Sequence, residues 1–145
     1  MFNRLRNWFG STKQKSAPPP RPLPPPEPEP EELVVPEVTV ATLQEVLEQE
    51  VPPLLLDIRE PWEWRQVHMP TALHIPMNDV PAQLTALPQE RTIVVICAHG
   101  SRSYGVAGYL IEQGFQASSL RGGITEWVRN GGDYRQGTEQ EGVSE

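Results

Sequence analysis

Cysteine is nearly absent: Cys97 is the only thiol in 145 residues. That excludes an internal disulfide framework and a CxxC redox or zinc site. Histidine is scarce too, and His68, His74 and His99 lack ligand spacing, so no structural metal is expected. No apolar run approaches the roughly 20 residues that cross a bilayer, and the N-terminus has no apolar core of the about 7–15 residues of a secretory signal. The expected compartment is the reducing cytoplasm, which suits a working thiol. Positive charge is thin over most of the chain. Arg4, Arg6, Lys13 and Lys15 place +4 within residues 1–16, so the remainder carries −11 of a total of −7. Without a basic face, the main domain is not expected to bind nucleic acid.

Proline, by contrast, is abundant and clustered. Ten of the seventeen prolines fall between Ala17 and Pro36. Such a stretch favours extended polyproline II backbone and builds no core, so residues 17–36 are expected to be a disordered proline-rich linker. Its Pro19-x-x-Pro22 and Pro22-x-x-Pro25 spacings also fit the grooves that bind polyproline II ligands. Residues 1–16 form a basic segment in which Phe2, Leu5, Trp8 and Phe9 share one helical arc between Arg4 and Arg6. Two readings stand there: an interfacial helix on an anionic membrane, or a frayed terminus, because so short a helix is marginal in water. Residues 135–145 read as a disordered polar tail.

Residues 37–134 carry the alternating pattern of a folded α/β domain. Val38–Val40, Leu54–Asp57, Leu73–Ile75, Thr92–Cys97 and Ala117–Leu120 read as five short strands. Between them, 42–49 (opened by a Thr42-x-x-Glu45 capping box), 60–66, 80–87, 104–113 and 124–130 read as helices. The alternation predicts a mainly parallel five-stranded sheet between helices.

The chemistry concentrates where the continuous apolar run Thr92-Ile-Val-Val-Ile-Cys97 meets Ala98-His99-Gly100-Ser101-Arg102-Ser103. A parallel strand buried on both faces has such a run, and open α/β folds place their chemistry at its C-terminal end. Backbone N–H groups converging at the next helix lower a thiol's pKa. Cys97 is therefore the expected nucleophile, and 98–103 the cradle around it, with Gly100 permitting the tight curl. Arg102 supplies fixed positive charge, towards an anionic donor or into the loop's own carbonyls. His99 faces the pocket mouth or solvent. Asp57 and Arg59 suit a buried structural pair, whereas Glu45, Glu48 and Glu63 suit solvated helix faces. Trp62, Trp64 and Trp127 suit core or rim packing.

Four separated blocks make residues 37–134 resemble the rhodanese family of single-domain sulfurtransferases. They are Asp57-Ile58-Arg59-Glu60 with Trp62-Glu63-Trp64; Val67-His68-Met69-Pro70-Thr71-Ala72 with Ile75-Pro76; Cys97-x-x-Gly100-x-Arg102-Ser103; and Leu120-x-Gly122-Gly123 with Trp127. The resemblance implies a three-layer α/β/α domain and transfer of sulfane sulfur through a Cys97 persulfide, with no cofactor. It implies as partners a small donor such as thiosulfate or a persulfide, a thiol or cyanide acceptor, and a sulfur-relay protein. Val67 and Thr71 replace the two glycines of the second block, and Ala98 stands where many members carry a bulkier, often basic residue.

Two rivals use similar parts. A cysteine phosphatase places five residues between its cysteine and arginine, whereas Ala98 to Ser101 are four, a cradle sized for sulfur rather than phosphate. A rhodanese-like carrier or scaffold tethered near a membrane would keep the same loop without turnover.

Overall fold

The computed structural model describes residues 15–137. The chain divides into two units, residues 1–31 and 32–145. In the first, residues 15–31 hold no helix or strand and are exposed. The expected amphipathic segment, 1–16, lies outside the described residues except for Lys15 and Ser16, as do residues 138–145 of the expected tail.

The second unit is a five-stranded sheet made of β1 (Glu37–Val38), β2 (Leu54–Asp57), β3 (Leu73–His74), β4 (Ile93–Ile96) and β5 (Ala117–Leu120). The strand order is β1-β5-β4-β2-β3 and every pairing is parallel. Side chains alternate across a strand, and β4 shows it plainly. Ile93, Val95 and Cys97 join one apolar cluster, with Val106, Ala107 and Leu110 of α3 (Ser101–Glu112). Val94 and Ile96 join the other, with Leu43 of α1 (Val40–Val46), Trp64 of α2 (Pro61–Gln66) and Trp127 of α4 (Gly123–Arg129). The domain therefore has three layers, with its central strand wet on neither face. Burying each large aliphatic side chain contributes about 1.5–3 kcal/mol.

This topology makes the crevice that the chemistry needs. After β2 the chain leaves towards β3 through α2 on one face; after β4 it leaves towards β5 through α3 on the other. The loops following β2 and β4 thus diverge at a switch point.

Several local expectations are corrected. Helix α1 is capped by Thr39, whose extended backbone lets its hydroxyl accept the Thr42 N–H at 3.2 Å, so Thr42 sits inside the first turn rather than before it. The helix expected over 80–87 is a 3₁₀ helix, Met77–Ala86, broken at Gln83. Pro81 lies within it and has no N–H to donate to an α-helical ladder. Helix α3 begins at Ser101 instead of Tyr104, because Gly100 at φ 104° makes the left-handed turn that starts it. Arg102 and Ser103 are therefore first-turn residues, not loop residues. The folded unit also reaches beyond 37–134 at both ends. Val35 is buried against α3, where Gly108 leaves room for it and for Leu33. Arg135, expected to begin the tail, exchanges backbone hydrogen bonds with His68, and Gly137 donates to the Arg65 carbonyl.

Candidate active site

Cys97 leaves the end of β4 on the α3 side and is 1 % exposed. Its Sγ accepts the Gly100 N–H at 3.0 Å and lies 3.3 Å from Ser103 Oγ. Burial pushes this thiol up, but the Ser103 hydroxyl and the backbone N–H groups of Ser103, Gly100 and His99 outweigh it, holding the pKa below the ordinary cysteine value. The expected thiolate site is therefore built from the loop and the first turn of α3 together. Ala98 is half-buried, and His99 and Ser101 are exposed.

A residue the sequence reading missed completes the arrangement. Ser119 of β5, buried, lies 2.7 Å from Ser103 Oγ and donates to the Gly100 carbonyl at 3.4 Å. The chain of hydroxyls has two proton arrangements. With a neutral thiol, Sγ–H donates to Ser103, Ser103 to Ser119, and Ser119 to the Gly100 oxygen. With a thiolate, Ser119 turns to donate to Ser103, and Ser103 donates to sulfur. Ionisation thus meets a donor that needs only a rotor change.

The other wall of the loop comes from α4. Ile124 and Thr125 donate their N–H groups to the carbonyls of Cys97 and Ala98, at 2.9 and 3.2 Å. A Cβ on Gly123 would overlap the Cys97 carbonyl, and one on Gly100 would press against the Gly122 amide. This explains Gly123, where the α4 backbone touches the loop backbone and leaves no room for a side chain; at Gly122, with φ 78°, a Cβ would meet the Glu126 side chain instead.

Arg102 points across the crevice to α2. Its Nη1 and Nη2 donate to the two carboxylate oxygens of Glu63 at 3.2 and 2.9 Å, with the Glu63 side chain only 12 % exposed. The expected solvated Glu63 is thus corrected, and the Arg102 guanidinium, expected to face a donor or the loop's own carbonyls, is paired with Glu63. The bond to Glu63 raises the Arg102 pKa, and the Cys97 charge adds to it.

Behind the site, Asp57 and Arg59 form the buried pair that the sequence suggested. Arg59 Nε and Nη2 donate to the Asp57 carboxylate at 3.0 and 2.7 Å, and Nη2 also donates to the Val67 carbonyl at 2.6 Å. That ties the end of β2 to the end of α2. Trp64 stacks with His68 and with His74, at 3.9 and 4.7 Å between ring centroids, while Trp62 is exposed. Thr71, in place of a glycine, keeps the left-handed backbone at φ 64°; Val67 is simply extended. Among the described residues no cluster of acidic, His or Cys side chains is placed to hold a metal, and no helix is long and apolar enough to cross a membrane. A cavity of about 860 Å³ lies at the opposite ends of β2 and β4, beside Leu54, Arg91 and Thr71, away from Cys97.

A single cysteine at the C-terminal end of the central parallel strand, its Sγ accepting a loop N–H, gives this α/β domain a thiol site in its crevice. The model of the rhodanese-like domain matches residues 39–130, and the chain belongs to the rhodanese family. A sulfurtransferase of Allochromatium vinosum is 38 % identical over 99 residues, covering 68 % of this chain and 92 % of that one. The crystal structure of a rhodanese-related protein from Thermoplasma volcanium superposes with a TM-score of 0.65 at 27 % identity, covering 72 % of this chain and 99 % of that one. The rhodanese-like domain of an Anabaena protein, solved in solution, gives 0.65 at 25 % identity, over 77 % and 87 %. These relatives support sulfurtransferase activity in general.

Proposed function

We propose that the domain moves sulfane sulfur from a thiosulfate-like or persulfide donor to a thiol or cyanide acceptor, through a persulfide on Cys97. The Cys97 thiolate attacks the donor's outer sulfur. A new S–S bond forms, the donor's own S–S bond breaks, and its electron pair leaves on the departing sulfite or thiolate. The acceptor then attacks the terminal sulfur of the persulfide, and Cys97 leaves again as a thiolate. Both half-reactions keep one negative charge on sulfur inside the loop, where Gly100, His99 and the first turn of α3 present N–H groups. No cofactor enters these steps. A reducing compartment such as the cytoplasm keeps the thiol available.

The observation that carries this reading is the placing of the buried Cys97 Sγ at the end of β4, within 3.0 Å of the Gly100 N–H and 3.3 Å of Ser103 Oγ. Cys97→Ser should abolish thiocyanate formation from cyanide and a sulfane donor while leaving the far-ultraviolet circular dichroism intact. Undiminished activity in that variant would end the sulfurtransferase reading.

A further inference from the structure

Arg102 is the one arginine or lysine in the segment from Cys97 to Ser103, and Glu63 bonds both of its terminal nitrogens. Glu60, exposed at the start of α2, acts on the same guanidinium. Around this guanidinium, among the described residues, an incoming donor meets the Arg102 cation, the Glu63 and Glu60 carboxylates and the Cys97 sulfur. Such a rim disfavours a dianion. Next to Arg102 and Ser101 opens a cavity of about 350 Å³ whose other walls are apolar, including Met77, Val80, Pro81, Val106 and Tyr109. Met77 is also among the exposed large apolar side chains.

We propose that Glu63 is a specificity-determining residue: by holding both terminal nitrogens of Arg102 and offsetting its charge, it turns the Cys97 site away from thiosulfate and towards sulfane donors of low charge carrying an apolar stem. The proposal rests on the sulfurtransferase reading and adds the substrate class to it. Thiosulfate and benzenethiosulfonate separate the two properties cleanly. In each, the Cys97 thiolate takes the outer sulfur, the S–S bond to the sulfonyl group breaks, and the bonding pair leaves as sulfite or as benzenesulfinate. The same persulfide results. Only the charge, two against one, and the apolar ring differ.

The experiment compares kcat/KM for the two donors in the native chain, in Glu63→Gln and in the double variant Glu63→Gln with Arg102→Ala. Glutamine keeps a hydrogen-bonding partner for Arg102 but removes the charge. The ratio of thiosulfate to benzenethiosulfonate efficiency should rise about tenfold in Glu63→Gln, mainly through the thiosulfate KM, and return towards the native ratio in the double variant. The native chain supplies a second measurement that needs no folded variant: rising ionic strength should lower its thiosulfate KM by screening the acidic rim. An unchanged or lower ratio in Glu63→Gln, or a thiosulfate KM that rises with salt, would overturn the proposal. A native chain that forms persulfide with neither donor would instead remove the sulfurtransferase reading beneath it.

Discussion

Two carboxylate–arginine pairs flank α2, Asp57–Arg59 just before it and Glu63–Arg102 between it and α3, and they do different work. Asp57–Arg59 is sealed, with side chains 0 and 3 % exposed, and its fork is completed by the Val67 and Glu63 carbonyls. Glu63–Arg102 lies at the crevice mouth, its arginine one-third exposed. Desolvation makes the first pair all-or-nothing: both partners present and fully hydrogen-bonded, or a bare charge in the core. Solvent screens the second, so its contribution to stability is small and its charge remains available to tune what approaches Cys97. Identical chemistry becomes scaffold or selector according to burial.

The sharpest way to break this comparison is to remove each arginine. Arg59→Ala should cost about 3–5 kcal/mol, because Asp57 is then left buried and unpaired. Arg102→Ala should cost less than about 1 kcal/mol. Urea denaturation measures both; similar losses would erase the distinction. Reactivity should separate from stability in the same manner at β5. Ser119→Ala removes the hydroxyl that supports Ser103, so the acidic limb of the pH–rate profile, set by Cys97 ionisation below the ordinary cysteine value, should move up. Activity on that limb should fall roughly 2–10-fold, the worth of one hydrogen bond. A limb that stays in place would confine Ser119 to packing.

How much of this was legible follows the range of each interaction. Strands β2 and β4 and the Asp57–Arg59 pair announce themselves in continuous apolar runs and in a two-residue spacing, whereas the strand expected over Val38–Val40 is Glu37–Val38, because Val40 already begins α1. Glu63 and Arg102 are 39 residues apart and meet only because α2 and α3 flank the same switch point. Ser119 had a faint signal, a Ser-Ser in an otherwise apolar strand, but nothing local says that Ser103 waits across the sheet. The start of α3 was hidden because Ser-Arg-Ser reads as loop until Gly100 is seen to turn left-handed.

Thr71 sharpens the contrast between local strain and burial with the smallest effect on stability. A β-branched residue at φ 64° is strained. Thr71→Gly should therefore raise stability by about 0.5–1 kcal/mol, the gain being reduced by the extra freedom of glycine in the unfolded chain. Thermal unfolding checks it, and a lower Tm would show that the threonine side chain contributes more than its backbone costs.

Cys97 itself is expected to carry the transferred sulfur. Intact-mass analysis of the full chain after exposure to excess benzenethiosulfonate tests it most directly, with peptide mapping to place any adduct. One sulfur, about 32 Da, should appear on the peptide containing Cys97 and disappear on adding cyanide, as expected for a persulfide intermediate. An unchanged mass, or the same increment in Cys97→Ser, would contradict the account.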